Sequence, residues 1–260
     1  MDKKKDVGEL FARLDDLRER AARGELGISA FLSPRELYYA QDFLKKQGAY
    51  FISFGGYTDA ERKRVYLLPE YMQGIEAICE TQNFGYTLAV SALLVKGSGF
   101  VKLSHRDFMG SLLALGIERS VIGDIVLLDE HKAVVFCDST MLNFLKNEWK
   151  QVGRDKVKIT DFDSFFYQLP ERKYESISDT VASSRLDCVI GAFCSLSREK
   201  AKQTVEAGMV EIDYEIEQKA DRTVLQGNII SIRGYGKFRV VSLNDKTKKG
   251  RYRLVGEKYL

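Results

Sequence analysis

Near the C-terminal end, two short stretches combine residue types and spacings suited to holding an anion. Ser184-Arg185-Leu186-Asp187 has the pattern of a helix start, with Ser at the cap and an acid three residues on. Leu186, Val189, Ile190 and Phe193 then follow one helical face. After a very short joint, Ser197-Arg198-Glu199-Lys200 starts a second helix that runs past Lys202 and ends at Gly208. Arg198, Lys200 and Lys202 lie in its first turns, where the positive end of the helix dipole disfavours a cation. A bound anion relieves that conflict and meets the free backbone N–H groups. A solvated cationic turn moderated by Glu199 is the plainer alternative. The anion reading requires Arg185 and Arg198 to point together and not be locked into internal carboxylate pairs.

The elements around these residues follow from their patterns. Val210, Ile212, Tyr214 and Ile216 alternate with Glu211, Asp213, Glu215 and Glu217, which predicts one strand with a core face and an acidic outer face. Gly227-Asn228 turns into a strand from Ile229 to Ile232. Arg233-Gly234-Tyr235-Gly236-Lys237 then makes a basic hairpin turn before Phe238 to Leu243. Residues 183–260 hold 15 basic and 10 acidic side chains, net +5, against −2 for the rest; residues 233–260 alone carry +7. Such an asymmetry suits a polyanion, although solubility alone also produces it.

Upstream, Ser33 with Pro34 opens a helix ending at Gly48, Tyr50–Phe54 and Val65–Leu68 read as strands around Gly55-Gly56, and Val7, Leu10, Phe11, Leu14 and Leu17 mark an earlier helix. Residues 88–162 then read as strand Leu88–Val95, helix Ser104–Leu115, strands Asp124–Leu128 and Ala133–Phe136, helix Thr140–Val152 and strand Val157–Phe162. This β-α-β-β-α-β order is the split βαβ pattern that RNA-recognition domains share, but the strand ending in Phe136 lacks the usual stacking aromatics. Ser164 to Ser178 is a polar connector or a surface strand.

Composition excludes several classes. With 260 residues, 45% hydrophobic and 30% charged, the chain is globular and long enough for two or three domains. No apolar run approaches bilayer length, and the charged N-terminus lacks a signal-peptide core, so a cytoplasmic location is expected, with no membrane partner. Cys79, Cys137, Cys188 and Cys194 form no CxxC pair, and His105 and His131 are far apart, so neither a metal site nor a disulfide framework is expected.

The quoted stretches, with Gly208-x-Val210-x-Ile212-Asp213 and Gly227-Asn228-x-Ile230-x-Ile232-Arg233-Gly234-x-Gly236, resemble the S4 RNA-binding domain, Asn228 standing where that family generally has Asp. Phe54-Gly55-Gly56-Tyr57 with Ala60-Glu61-Arg62, Ser104-His105-Arg106-Asp107-Phe108-Met109-Gly110 through Gly123-Asp124-Ile125, and Lys246-Thr247-Lys248-Lys249-Gly250-Arg251 extend the resemblance to the YlmH family of S4-domain proteins over nearly the whole chain. The resemblance implies a ribosome quality control factor that binds the large ribosomal subunit, touching rRNA and peptidyl-tRNA, and works with a nascent-chain tailing factor. It places RNA contact on Arg185 and Arg198, helped by Lys200 and Lys202; Ser197, Arg233 and Lys237 complete the expected set. The expected fold is α+β: an N-terminal α+β domain (1–80), a ferredoxin/RRM-like putative RNA-binding middle domain (81–165), an S4 domain of αL-motif type (182–245) and a basic C-terminal tail (246–260).

No enzyme signature emerges. Gly234-x-Gly236-x-x-Arg239 fails the dinucleotide fingerprint, and neither a P-loop nor a GxSxG elbow is present. Asp107, beside His105 and Arg106, is the one polar cluster that invites catalysis, yet Ser104 and Asp107 also form a capping box. A non-enzyme without cofactor or small-molecule substrate is expected; an RNA-modifying, pseudouridine-synthase-like enzyme and a cell-division scaffold are the alternatives.

Overall fold

A computed structural model describes residues 3–72, 89–162, 169–170, 172–243, 247 and 250–259. The chain divides into two compact units, Met1–Pro170 and Glu171–Leu260. Cys79, Leu88 and the basic residues Lys246, Lys248 and Lys249, together with the expected boundaries at 80 and 165, lie outside the described residues.

The first unit has two lobes. In the N-terminal lobe, α1 (Lys3–Ala22) and α2 (Pro34–Lys46) pack on a sheet of order β1-β3-β2, with β1 Gly27–Ile28, β2 Phe51–Phe54 and β3 Arg64–Leu67. Ser33 caps α2 and Glu36 returns the bond to the Ser33 N–H, a complete capping box with Pro34 at the first helical position. Leu10 and Leu14 of α1 meet Ala40 and Leu44 of α2 over Val65 and Leu67.

The second lobe follows the expected order: β4 (Val90–Lys96), α3 (His105–Ala114), β5 (Ile122–Asp129), β6 (Lys132–Asp138), α4 (Leu142–Glu148), then β7 (Gln151–Val152), β8 (Asp155–Lys156) and β9 (Lys158–Asp161). Its sheet runs β5-β6-β4-β9 with every pair antiparallel, the split βαβ topology. The helix expected over Thr140–Val152 is shorter. Trp149 leaves it to bury its ring edge-on against Phe108 and donates its indole N–H to Ser111 Oγ at 2.9 Å, and the chain turns back through β7 and β8.

The Phe54–Arg62 segment welds the two lobes together. Asp124 accepts from Tyr57 Oη at 2.8 Å, Glu61 N at 2.7 Å and Arg62 N at 3.0 Å. Arg62 in turn donates to the carbonyls of Ile122, Phe31 and Arg119. Arg64 pairs with Asp138 at 2.8 Å and donates to the carbonyls of Ser29 and Ala89. Gly56, at φ +103, lies so close to Phe136 that a Cβ would meet the ring at 2.3 Å.

In the second unit, α5 (Leu186–Cys194) and α6 (Arg198–Glu206) cover one face of a six-stranded antiparallel sheet ordered β10-β15-β14-β13-β11-β12. The strands are β10 Tyr174–Val181, β11 Val210–Ile212, β12 Glu215–Ile216, β13 Ile229–Ile232, β14 Gly236–Ser242 and β15 Tyr252–Tyr259. The core gathers Leu186, Val189 and Ile190 with Ala201, Val205, Ile230, Phe238 and Leu254.

Two expectations are corrected here. The single strand over 210–217 is a hairpin, turning at Asp213 and Tyr214 with φ +47 and +71. Asp213 leaves the supposed acidic face because its carboxylate accepts from Ile229 N at 2.9 Å and Asn228 Nδ2 at 2.6 Å. The basic tail at 246–260 is no tail beyond Arg251: Tyr252–Tyr259 is a strand between β10 and β14, with Leu254 fully buried. Of the two readings for 164–178, connector or surface strand, the strand holds from Tyr174, where β10 begins.

Candidate nucleic-acid interface

The cationic site is built at the start of α5. Arg185, not Ser184, is the cap residue, and it makes no side-chain capping bond. Loop carbonyls replace the capping hydroxyl: Leu186 N donates to Arg222 O at 2.9 Å and Asp187 N to Ala220 O at 3.0 Å. Ser184 instead takes Val224 N on its own carbonyl at 2.8 Å.

Freed from capping at a distance, Asp187 organises the site. Its side chain is only 2% exposed, and it accepts from Arg185 Nε and Nη2, each at 3.1 Å, from Arg198 Nε at 3.3 Å, and from Cys188 N at 2.9 Å. Burial alone would raise its pKa, but the hydrogen bonds from Arg185 and Arg198 outweigh it and hold the carboxyl below its ordinary 3.8. The same pairing raises the Arg185 pKa. Arg185 and Arg198 are therefore brought together on one carboxylate, but both are drawn into an internal carboxylate pair, so the requirement of two unpaired guanidinium groups for the two-arginine anion site is not met. Arg185 is held as a fork, whereas Arg198 gives up only Nε and keeps 69% of its side chain exposed.

The remaining expected residues divide. Ser197 caps α6, accepting from Lys200 N at 3.3 Å, so its hydroxyl has a structural task. Lys202 is one turn from Arg198 on the same side of α6 and pairs loosely with Glu206 at 3.7 Å. Lys200, two positions from Arg198, leaves the helix in another direction. Arg233 is exposed at the turn between β13 and β14. Lys237 is on the opposite face of the sheet from the helices, its ammonium 4.7 Å from the Tyr259 ring centre and 5.5 Å from that of Tyr214. The expected contact residues are thus divided between two faces of the sheet.

Sequence reasoning missed Arg251 as a site residue. It shares a cleft of about 270 Å³ with Arg198, Asp187 and Cys188, and its guanidinium donates to Thr180 O. The signal was the alternation Tyr252-x-Leu254-x-Gly256, which makes a strand and fixes Arg251 at its entry.

The polar cluster that invited a catalytic reading is at the start of α3. The Asp107 carboxylate accepts from Ser104 N at 2.8 Å and Oγ at 2.6 Å, closing a capping box that lowers its pKa. Burial pushes the Cys137 thiol up to about 12 and the Cys194 thiol to about 11, far from nucleophilic. Among the described residues no three His, Cys, Asp or Glu side chains converge to hold a metal.

Two helices laid on an antiparallel sheet, preceded by a split βαβ lobe welded to a small α+β lobe, can be set beside known proteins. Residues 82–164 match the family model described as a putative RNA-binding domain in YlmH, and residues 7–72 match that of the YlmH N-terminal domain. Over 231 residues, 89% of this chain and 86% of the relative, it is 30% identical to ribosome-associated protein quality control protein P2 of Bacillus subtilis strain 168. The chain belongs to the YlmH family. Its fold also resembles that of cell division protein ylmH from Streptococcus pneumoniae, with a TM-score of 0.51 at 19% identity over 64% of this chain and 94% of that one.

Proposed function

We propose that the chain is a non-enzymatic RNA-binding factor of ribosome quality control. It binds the large ribosomal subunit through rRNA and peptidyl-tRNA and supports C-terminal tailing of stalled nascent chains. The observation that carries the reading is Arg198, which gives Asp187 only its Nε and keeps 69% of its side chain exposed, with Arg251 lining the same cleft; Arg185, locked into the internal pair, holds the site together. Arg198, held by Nε alone, keeps both terminal nitrogens out of that pair, in the planar geometry that suits phosphate oxygens. The name of the Bacillus subtilis relative and the description of the matching middle-domain family support the ribosomal and RNA-binding parts of the proposal. Rigid cations on a helix pair read backbone and shape more than base edges, so structured RNA is the fitting partner. Work in the cytoplasm follows from that partner; among the described residues no helix is long and apolar enough to cross a membrane.

The test uses the exposed cations and spares the fork. Arg198→Ala with Lys202→Ala should weaken co-sedimentation with isolated 50S particles and lower the salt slope of binding by about two. Melting should stay close to that of the parent chain. Unchanged co-sedimentation overturns the assignment.

A further inference from the structure

The second unit has another face. Along each strand the side chains alternate, so the partners of the core residues Ile230, Phe238 and Leu254 point away from α5 and α6. Register places Tyr174 opposite Tyr259 and Ser231 opposite Lys237, while Phe238 opposite Lys258 sets Lys237 beside Tyr259. One row across the sheet therefore reads Tyr174, Tyr259, Lys237, Ser231. The next row holds Ser176, Glu257 and Arg239.

These side chains form one aromatic and cationic cluster. The Tyr174 and Tyr259 rings meet edge to face with centroids 5.2 Å apart. The Arg239 guanidinium is 5.4 Å from the Tyr174 centroid and Arg172 is 5.8 Å from that of Tyr259. Lys237 stands between Tyr259 and Tyr214. Tyr174, on the edge strand, keeps 36% of its surface exposed. The cations Arg172, Lys237, Arg239 and Arg253 outnumber the carboxylates Glu211 and Glu257, and Glu257 is already held by Arg239.

We propose that this sheet face is a second nucleic-acid surface, which takes an unpaired RNA strand by stacking bases on Tyr174 and Tyr259. Two observations point to that occupant. The Tyr174 and Tyr259 rings already carry cations over them, and a base can take a cation's place on a ring while the cation turns to the phosphate. The cations lie within one side-chain length of those rings, where the phosphates of a stacked nucleotide fall, so ring and charge together match both halves of the ligand. An acidic peptide could satisfy the charges but would leave the rings unused. Duplex RNA, with its bases stacked inward, offers nothing to them. The surface is on the opposite side of the sheet from Arg198 and Arg251, so it does not rest on the helix-pair assignment.

The test is fluorescence anisotropy of the full chain with a labelled oligouridine of about 12 nucleotides, a length within the span of known single-strand sites. Tyr174→Ala and Tyr259→Leu should each weaken binding roughly tenfold, the loss expected for one stacked base. Tyr174→Phe and Tyr259→Phe keep the ring and should bind like the parent. Arg198→Ala with Lys202→Ala should leave oligouridine binding intact while losing 50S particles, which separates the two surfaces. Crosslinking of a 4-thiouridine oligomer to the unmodified chain, mapped by mass spectrometry, serves even where a variant fails to fold. Adducts on the Tyr174 or Tyr259 peptides support the proposal. Adducts confined to α6, full binding by Tyr174→Ala, or no affinity for the single strand overturns it.

Discussion

Asp187 illustrates how one buried carboxylate can do the work of a scaffold. Removing it leaves Arg185 and Arg198 without their shared acceptor and Cys188 N without its side-chain partner. Because both guanidinium groups reach solvent, the cost is that of lost charged hydrogen bonds, not of a stranded buried charge. Asp187→Ala should therefore lower stability by about 2 kcal/mol in denaturant melts, and it should weaken 50S association despite raising the net positive charge. The depressed Asp187 pKa sets a pH dependence with a definite sign. Its contribution is complete above the unfolded carboxylate value of about 4 and is lost as pH falls through the lower folded value. Acid titration of Asp187→Asn, followed by circular dichroism, should show a shallower loss of stability below that pH than the parent. The residue types of this site were legible from the sequence, since Arg185, Arg198 and Lys202 announce themselves by charge and spacing. Asp187 was misread as a distant cap partner because a capping box and an inward ion pair share the same residue pattern. Only the arrival of the Ala220 and Arg222 carbonyls at the helix start decides between them.

Among elements, those with strong local signals were legible. The capping boxes at Ser33 and Ser104 begin helices where expected, because the reciprocal bonds form within four residues. Elements that depend on distant partners were not. The alternation from Val210 to Ile216 looks like one strand, yet the chain reverses inside it because Asp213 finds Asn228 and Ile229 across the sheet. β15 was hidden beneath its charge, although Leu254 and Gly256 face the core. Gly256 has a packing reason: a Cβ there would meet the Phe193 ring at 2.4 Å, and that ring stacks on Phe238 with centroids 5.0 Å apart. Gly256→Val should destabilise the second unit by about 2 kcal/mol through overpacking, read as a lowered melting temperature with the ring stack disturbed.

At the scale of the molecule, the family motifs outside the cationic module are explained by assembly. Phe54–Tyr57, Glu61-Arg62 and Gly123-Asp124 meet at the weld between the first two lobes, and burial lowers the Arg62 pKa without removing its charge. Asp124→Ala should strip three donors of their acceptor and expose the junction. Hydrogen exchange should then rise in Tyr57–Arg62 while the β4–β6 ladder stays protected; unchanged exchange would count against the weld. The order of elements in this unit was legible because its helices and strands alternate in sequence. The weld was not, because nothing local marks Asp124 as the acceptor for a loop more than sixty residues upstream.

The pairing of β10 with β15 ties the beginning of the second unit to its end. During synthesis β10 emerges first and must wait for nearly the whole unit before β15, its one strand neighbour among the described residues, is made. Until then the sheet lacks the strand that carries Leu254 into the core. The second unit therefore closes its sheet last, and a chain cut before Tyr252 would leave β10 without its strand neighbour and the place of Leu254 in the core empty.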